Sequence, residues 1–377
     1  MDDAFWDEIV TFRHDLHAHP ELSGREVGTK QRIQDFLSSH TSLAAEDHGS
    51  WLSARFCPEG AEGVAPIAFR VDMDALPIDE TISLPYGSTV PGVAHKCGHD
   101  GHMAALVAAA CLMEHDAAIR RPVYLVFQPA EETGEGGHAC AAWLASQGVR
   151  EVYAFHNLSG HEEGAVMVRE GMTQPASCGL TFAFEGNAAH AGTPELGTNP
   201  APVLARMQLA AEKLDKSKEG KLQFATTVGM TLGSHDFGIS PGRGKISFTL
   251  RAGEDEGLAR MEEELGKEAH ELAERFGLSA SREKHDPFPA TVNDWRAAEK
   301  VRASARELGF VQEKLSEPWR PSEDFGWYTK LACGALFYVG NGETWPAPHD
   351  PAYDFNDRIL PVAARMFVKL AEGMPLL

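Results

Sequence analysis

"RPVYLVFQPAEETGEGG", residues 121–137, sets a run of apolar, β-prone side chains against a proline and then a pair of glutamates. An unbroken apolar run of this length reads as a strand buried on both faces, as strands of a parallel sheet do. Upstream, "APIAFRVDM" (65–73) has the same character and is broken by "DALP"; downstream, "VYAFHNL" (152–158) repeats it. Between the first two lies "AALVAAACLMEH" (104–115), an Ala- and Leu-rich buried helix whose start Asp100 is placed to cap. Strand, helix, strand, helix predicts an α/β domain with a mostly parallel central sheet flanked by helices. Ligands of such sheets gather at the carboxyl ends of the strands, so the residues there carry the functional question.

After Pro175 the texture changes. "CGLTFAFEGNAAHAG" (178–192) and "KISFTLRAG" (245–253) alternate like half-exposed strands. "NPAPVLARMQLAAEKLDKS" (199–217) and "EGLARMEEELGKEAHELAERFG" (256–277) are amphipathic helices, the second stopped by Gly277. "LSASREKH" (278–285) supplies a closing strand, and the α/β texture returns from "ATVNDWRAAEKVRASARELGF" (290–310) to "GALFYVGNG" (334–342) and a terminal helix. The prediction is a discontinuous catalytic domain, 1–174 and 287–377, with a smaller α+β domain inserted at 175–286.

The formal charge of -21 disfavours nucleic acid and anionic lipid as partners. The first ten residues, "MDDAFWDEIV", are acidic and lack an apolar core, so a signal peptide is not expected, and the longest apolar stretch, 103–113, is too short to span a bilayer. A cytoplasmic protein with reduced thiols is expected. Six cysteines lie far apart without a CxxC pair. Cys111, Cys140, Cys178 and Cys333 sit among small or apolar neighbours and read as buried thiols; Cys97 stands among histidines and glycines.

"HKCGHDGHM" (95–103) is the densest ligand cluster. A Cys-Gly-His turn puts sulfur and imidazole on one side of a loop, a donor set that suits Zn, Ni or Co better than Mg or Ca. Asp72 and Asp74, two apart at a strand end, point the same way, and a carboxylate there can orient a ligand histidine. Of Glu131 and Glu132, whose side chains diverge, one can hold metal while the other faces the activated water. His156 ends another strand and His349 lies in a Pro-rich loop. Each has a bland alternative: a solvated turn, a histidine-rich helix start, an acidic loop, a satisfied core histidine. Together, Cys97, His99, Glu132, His156 and His349 supply enough donors for a two-metal centre. His102 supports the site or caps the helix.

These stretches, with "FRHDLHAHPELSGRE" (12–26), "RVDMDALPI" (70–78), "GNAAHAGTPELGTNPAP" (186–202), "PSEDFGWYTK" (321–330) and "HDPAYDFND" (349–357), resemble the aminoacylase and carboxypeptidase family of dinuclear metallopeptidases, peptidase family M20. The nearest branch is the amidohydrolases: aminoacylases, hippurate hydrolases and auxin-conjugate hydrolases. The resemblance implies two divalent ions (Zn, Mn, Ni or Co) held by Cys97, His99, Glu132, His156 and His349. It implies Glu131 as general base, Asp74 as the carboxylate behind the ligands, His190 as support for the oxyanion and Arg251 as partner of a substrate carboxylate. The implied reaction is hydrolysis of the amide bond of N-acyl amino acids. The inserted domain resembles a lid that also forms a homodimer.

Three positions depart from the family pattern. Lys96 replaces an alanine beside the metal loop, "NLSGHEEG" (157–164) replaces a proline-containing stretch, and Gly238 in "GISP" stands where a substrate-facing asparagine is usual. A dipeptidase or carboxypeptidase, an aryl-amine aminohydrolase and a non-catalytic metal-binding protein are the alternatives.

Overall fold

The computed structural model describes residues 2–373. The chain divides into two compact units: residues 1–173, 291–318 and 323–377 form the first, and 174–290 with 319–322 the second. The second unit runs four residues past the expected boundary at 286 because the Ala290 N–H donates to Asp255 Oδ1. It also takes in residues 319–322, where the Ser322 and Ser177 hydroxyls pair at 2.5 Å.

The first unit is built on an eight-stranded sheet. Its order is Ala45–Asp47, Leu52–Phe56, Val123–Gln128, Ile67–Asp72, Glu151–Ser159, Cys333–Gly342, Val166–Met167, Gln312–Glu313. The four long inner strands, 123–128, 67–72, 151–159 and 333–342, pair in parallel. The first three of them are the apolar runs read from the sequence, and their side chains are buried on both faces, as a sheet covered by helices requires. The register sets Asp72 beside Gln128 and His156 beside Tyr338, so the strands end together and their trailing loops converge.

The helix His99–Met113 is buried along almost its whole length, which is why it consists, from Met103 on, of Ala, Leu, Val and Met with one Cys. Its start differs from the expected one. Gly98, in the left-handed region at φ 104°, is the N-cap, and Asp100 lies inside the first turn. The Asp100 carboxylate accepts from Arg13 and pairs with His17 instead of capping. A side chain at Gly98 would sit 2.4 Å from Asn157 Oδ1 and 2.7 Å from the Tyr353 hydroxyl, so glycine alone fits.

In the second unit, the antiparallel sheet Gln223–Leu232, Arg243–Ala252, Ala176–Glu185, Ser279–Phe288 carries two helices on one face. Alternate residues Cys178, Leu180, Phe182 and Phe184, with Ile246, Phe248 and Leu250, point into the core. They meet Val203, Leu204 and Met207 of Ala201–Lys213, and Leu258, Met261, Leu265 and Leu272 of Asp255–Phe276, which recur at helical spacing. Gly277, at φ 66°, ends the second helix. All six cysteines are free thiols; Cys333 is half-buried rather than buried. No helix among the described residues is long and apolar enough to cross a membrane.

Candidate metal centre

The connections that follow strands Ile67–Asp72, Val123–Gln128 and Cys333–Gly342 carry Cys97 and His99, Glu132, and His349, and strand Glu151–Ser159 itself carries His156, so that the five donors meet in the first unit. Donor atoms of Cys97, His99 and His156 lie within 4.8 Å of one another, as do those of Cys97, Glu132 and His349, and of His99, Glu131 and Glu132. Cys97 Sγ is 3.4 Å from His156 Nε2, His349 Nε2 is 3.4 Å from Glu132 Oε2, and His99 Nε2 is 3.8 Å from Glu132 Oε1. Both imidazoles are oriented from behind: His99 Nδ1 donates to the Asp74 carbonyl at 2.9 Å, and His156 Nδ1 to the Asn157 carbonyl at 2.7 Å. Each ring thereby turns Nε2 toward the cluster, which is how a ligating histidine is commonly set.

Asp74 organises two of these groups at once. Its carbonyl orients His99, and its Oδ2 accepts from the Glu132 N–H at 3.0 Å and the Ser23 hydroxyl at 2.7 Å. Glu131 is buried, with Oε2 4.0 Å from His99 Nε2. Burial and the nearby Glu323, Glu132 and Asp324 carboxylates push its proton affinity well above the usual carboxylate range. Burial and the Glu132, Glu131 and Asp72 carboxylates likewise raise the Cys97 thiol.

The residues fit a pair of divalent ions on two counts. His99 Nε2 and Glu132 Oε1 are buried without a hydrogen-bond partner, a cost that metal coordination removes. Buried acids and a thiol that hold each other protonated are what a divalent cation would release into ligands.

His102 supports the site: Nδ1 lies 2.6 Å from Asp72 Oδ1 and Nε2 2.8 Å from Asn157 Oδ1. Asn157, from the divergent "NLSGHEEG" stretch, also donates to the Tyr353 hydroxyl at 2.7 Å. Lys96 does not present its charge to the cluster. It is fully buried, its Nζ bonds Glu80 and the Tyr353 carbonyl, and its own carbonyl accepts from the His349 N–H at 2.6 Å. It thus ties the Cys97 loop to the segment that carries His349, which sits at φ 70° and is half-exposed.

In the second unit, His190 is exposed on the short strand Ala189–His190, paired with Ile239–Ser240, and its Nδ1 accepts from the Gly192 N–H. The Gly238 carbonyl accepts from the adjoining Ala191 N–H, so the residue that replaces the usual asparagine touches the His190 strand through backbone alone. Arg251 Nε donates to the Arg320 carbonyl at 3.2 Å.

The sequence reading missed the layer beneath the centre. Arg70 is fully buried and reaches Asp72 Oδ2 at 2.8 Å, Asp324 Oδ1 at 2.7 Å, Glu323 Oε1 at 3.0 Å and Gln128 Oε1 at 2.9 Å. An arginine inside the apolar run "IAFRVD" was the available signal, since a buried guanidinium demands carboxylates. A second group, buried Arg13, His17 and Asp100 with half-buried Glu80, braces the start of the helix His99–Met113. Burial opposes charge on His17, yet bonds to Asp100 and Glu80 raise it from 6.5 to about 9. Its folded pKa lies above its unfolded one, so its contribution is complete below pH 6.5 and is lost as pH rises through 9. Thermal unfolding between pH 6.5 and 9.5 is expected to show a loss of about 3 kcal/mol from this group, and His17→Gln should flatten that slope.

A parallel sheet whose strand ends and trailing loops gather thiol, imidazole and carboxylate donors around a buried glutamate is the frame of a metal-dependent hydrolase of C–N amide bonds. The chain belongs to Peptidase family M20/M25/M40, which it matches over residues 68–373. It is 28% identical over 376 residues to N-acetylcysteine deacetylase of Bacillus subtilis, covering 98% of this chain and 97% of that one. It is 28% identical to hippurate hydrolase of Campylobacter jejuni over 375 residues, 97% and 96% of the two chains. A crystal structure of a dinuclear metal-binding M20 peptidase from Bacillus subtilis superposes with a TM-score of 0.83 at 25% identity, covering 98% of each chain.

Proposed function

We propose that this enzyme hydrolyses the amide bond of N-acyl amino acids at a two-metal centre held by Cys97, His99, Glu132, His156 and His349, with Glu131 as general base. The observation that carries the reading is the convergence of those five donors, two with buried unpartnered atoms, beside the buried Glu131. Relatives named for N-acetylcysteine and hippurate support the substrate class. Divalent ions held there, whether Zn, Mn, Ni or Co, would supply Lewis acidity toward the scissile carbonyl and a more acidic attacking water. Glu131 takes that water's proton and delivers it to the departing amine, a transfer its buried position shields from bulk solvent. Asp74 fixes His99 and the Glu132 backbone, so the donors do not have to reorganise during turnover. The roles assigned to His190, as donor to the oxyanion, and to Arg251, as partner of a substrate carboxylate, rest on the sequence match.

The test is amine release from N-acyl amino acids, dipeptides and aryl amines by protein loaded with each metal in turn, beside chelator-stripped protein. Metal-dependent release from acyl amino acids alone is the expected result. Release confined to dipeptides reassigns the enzyme to peptidase, ammonia from aryl amines to deaminase, and silence with two ions bound to a non-catalytic metal protein.

Association as a homodimer through the second unit is supported by its sheet edge. Among the described residues, strand Gln223–Leu232 has no strand partner on one side, and it exposes Val228 (63%), Met230 and Leu232. An exposed apolar edge strand is a liability unless covered. Val228→Glu with Met230→Lys is expected to halve the mass measured by light scattering. A monomeric parent protein would remove the dimer. Six free thiols support a cytoplasmic location.

A further inference from the structure

The N-terminal stretch "PELSGRE" (20–26) has no part in the chemistry assigned so far, yet it lies against the two turns that carry it. Leu22 pairs with Ala75 in a parallel bridge, and the Ala75 N–H donates to the Glu21 carbonyl at 2.8 Å. The Ser23 hydroxyl donates to Asp74 Oδ2, the oxygen that also receives the Glu132 N–H. Glu26 is buried, and its Oε1 accepts from the Gly24 N–H at 2.9 Å and the Ala130 N–H at 2.8 Å.

Ala130 is the residue before Glu131, and its φ is 51°. A side chain other than glycine's rarely adopts this region, and it persists only where the surroundings over-determine it. The turn's other bonds fall on other groups than the Ala130 amide. The Ala130 carbonyl accepts from the Glu135 and Gly136 N–H groups, which fixes the far side of the turn, but the Ala130 N–H has Glu26 as its partner.

Glu26 stands at the N-cap position of the helix Val27–His40, yet its side chain does not cap that helix. Glu21 does so instead, accepting from the Gly28 N–H at 3.1 Å and the Thr29 N–H at 2.8 Å. The sequence has therefore placed one glutamate to finish the helix and left a second, buried one for a backbone amide about a hundred residues away. An ordinary helix cap has no use for that arrangement.

We propose that residues 22–26 form a bracket that sets the Ala130–Glu132 turn, with Glu26 as a positioning residue that holds Ala130 in its left-handed conformation and so aims Glu131. The inference rests on the proposed role of Glu131. Ser23, through Asp74, steadies the following residue, Glu132, so the bracket grips the turn on both sides of the base.

The experiment compares metal-loaded wild type, Glu26→Ala and Glu26→Gln. Steady-state kinetics, metal content and hydrogen exchange at the Ala130 amide are read on each. In Glu26→Ala the Ala130 amide is expected to exchange at least about tenfold faster. Its kcat should fall about 10- to 100-fold, the scale on which a small misplacement of a catalytic group is felt, with KM and two bound ions retained. Glutamine keeps an oxygen that accepts both N–H groups, so Glu26→Gln should restore slow exchange and most of kcat. Unchanged exchange in Glu26→Ala, or equal losses of kcat in the two variants, overturns the bracket. If the wild type hydrolyses no amide, the functional reading fails by itself, and exchange at Ala130 still decides whether Glu26 holds the turn.

Discussion

Glu131→Gln should lower kcat about 10³-fold with KM little changed, because it removes the proton acceptor and leaves the five donors in place. That loss corresponds to about 4 kcal/mol of transition-state stabilisation. The same substitution should raise stability. Glu131 is buried against Glu132, Glu323 and Asp324, which push its folded pKa up, so above its unfolded value of 4.5 ionising it costs folding energy. A neutral amide of the same shape pays no such cost. In metal-stripped protein at pH 7 the variant should therefore melt above the wild type, and the gap should close as pH falls toward 4.5 and the wild-type carboxyl is protonated in both states. Lost turnover together with gained stability marks a residue kept for chemistry; an inactive variant that is also destabilised would mean Glu131 is structural.

The elements that position the centre were legible because their physics is local. "VYLVFQ" and "IAFRVD" are short, β-prone runs closed by Pro129 and by "DALP", as strands of a covered sheet are, and the ends of such strands are where loops converge. Donors in the "CGH" turn and the "EE" pair could be named because few other tasks concentrate those residue types there. The bracing layer is different in kind. Arg70 meets Asp324 across 254 positions of sequence, and Lys96 meets Tyr353 across 257. Neither spacing has any period to read. Asp100 shows the same limit from the other side: an aspartate near a helix start is a reasonable cap, but the left-handed Gly98 takes that position and leaves the carboxylate to His17. Local pattern foretells which groups are present, whereas the partner of a buried charge is settled by topology.

That topology makes Arg70 the most consequential residue outside the chemistry. One guanidinium, fully buried, serves Asp72, Glu323 and Asp324, and through Asp72 it reaches His102 and Asn157 behind the metal loop. Removing it strands three carboxylates in the interior, so Arg70→Leu is expected to cost about 3–5 kcal/mol in urea or thermal unfolding, the usual penalty for breaking a buried pair from one side. For a unit of this size that is a fall in melting temperature of about 6–20 °C. Arg70→Lys should recover only part of it, since an ammonium cannot fork to three acceptors at 2.7 to 3.0 Å. The deficit should also depend on pH. Burial holds Asp324 up at about 8 even beside Arg70, and it is pushed higher in the leucine variant, whereas Asp72 keeps His102 at 2.6 Å. Above pH 8 the wild type can ionise Asp324 beside Arg70 and the variant cannot, so the stability gap between them should widen as pH rises through 8. A gap that widens from pH 7 to pH 9 assigns the loss to stranded charge. A constant gap would assign it to the cavity left by a large side chain, and Arg70 would then be packing rather than the keystone of the network.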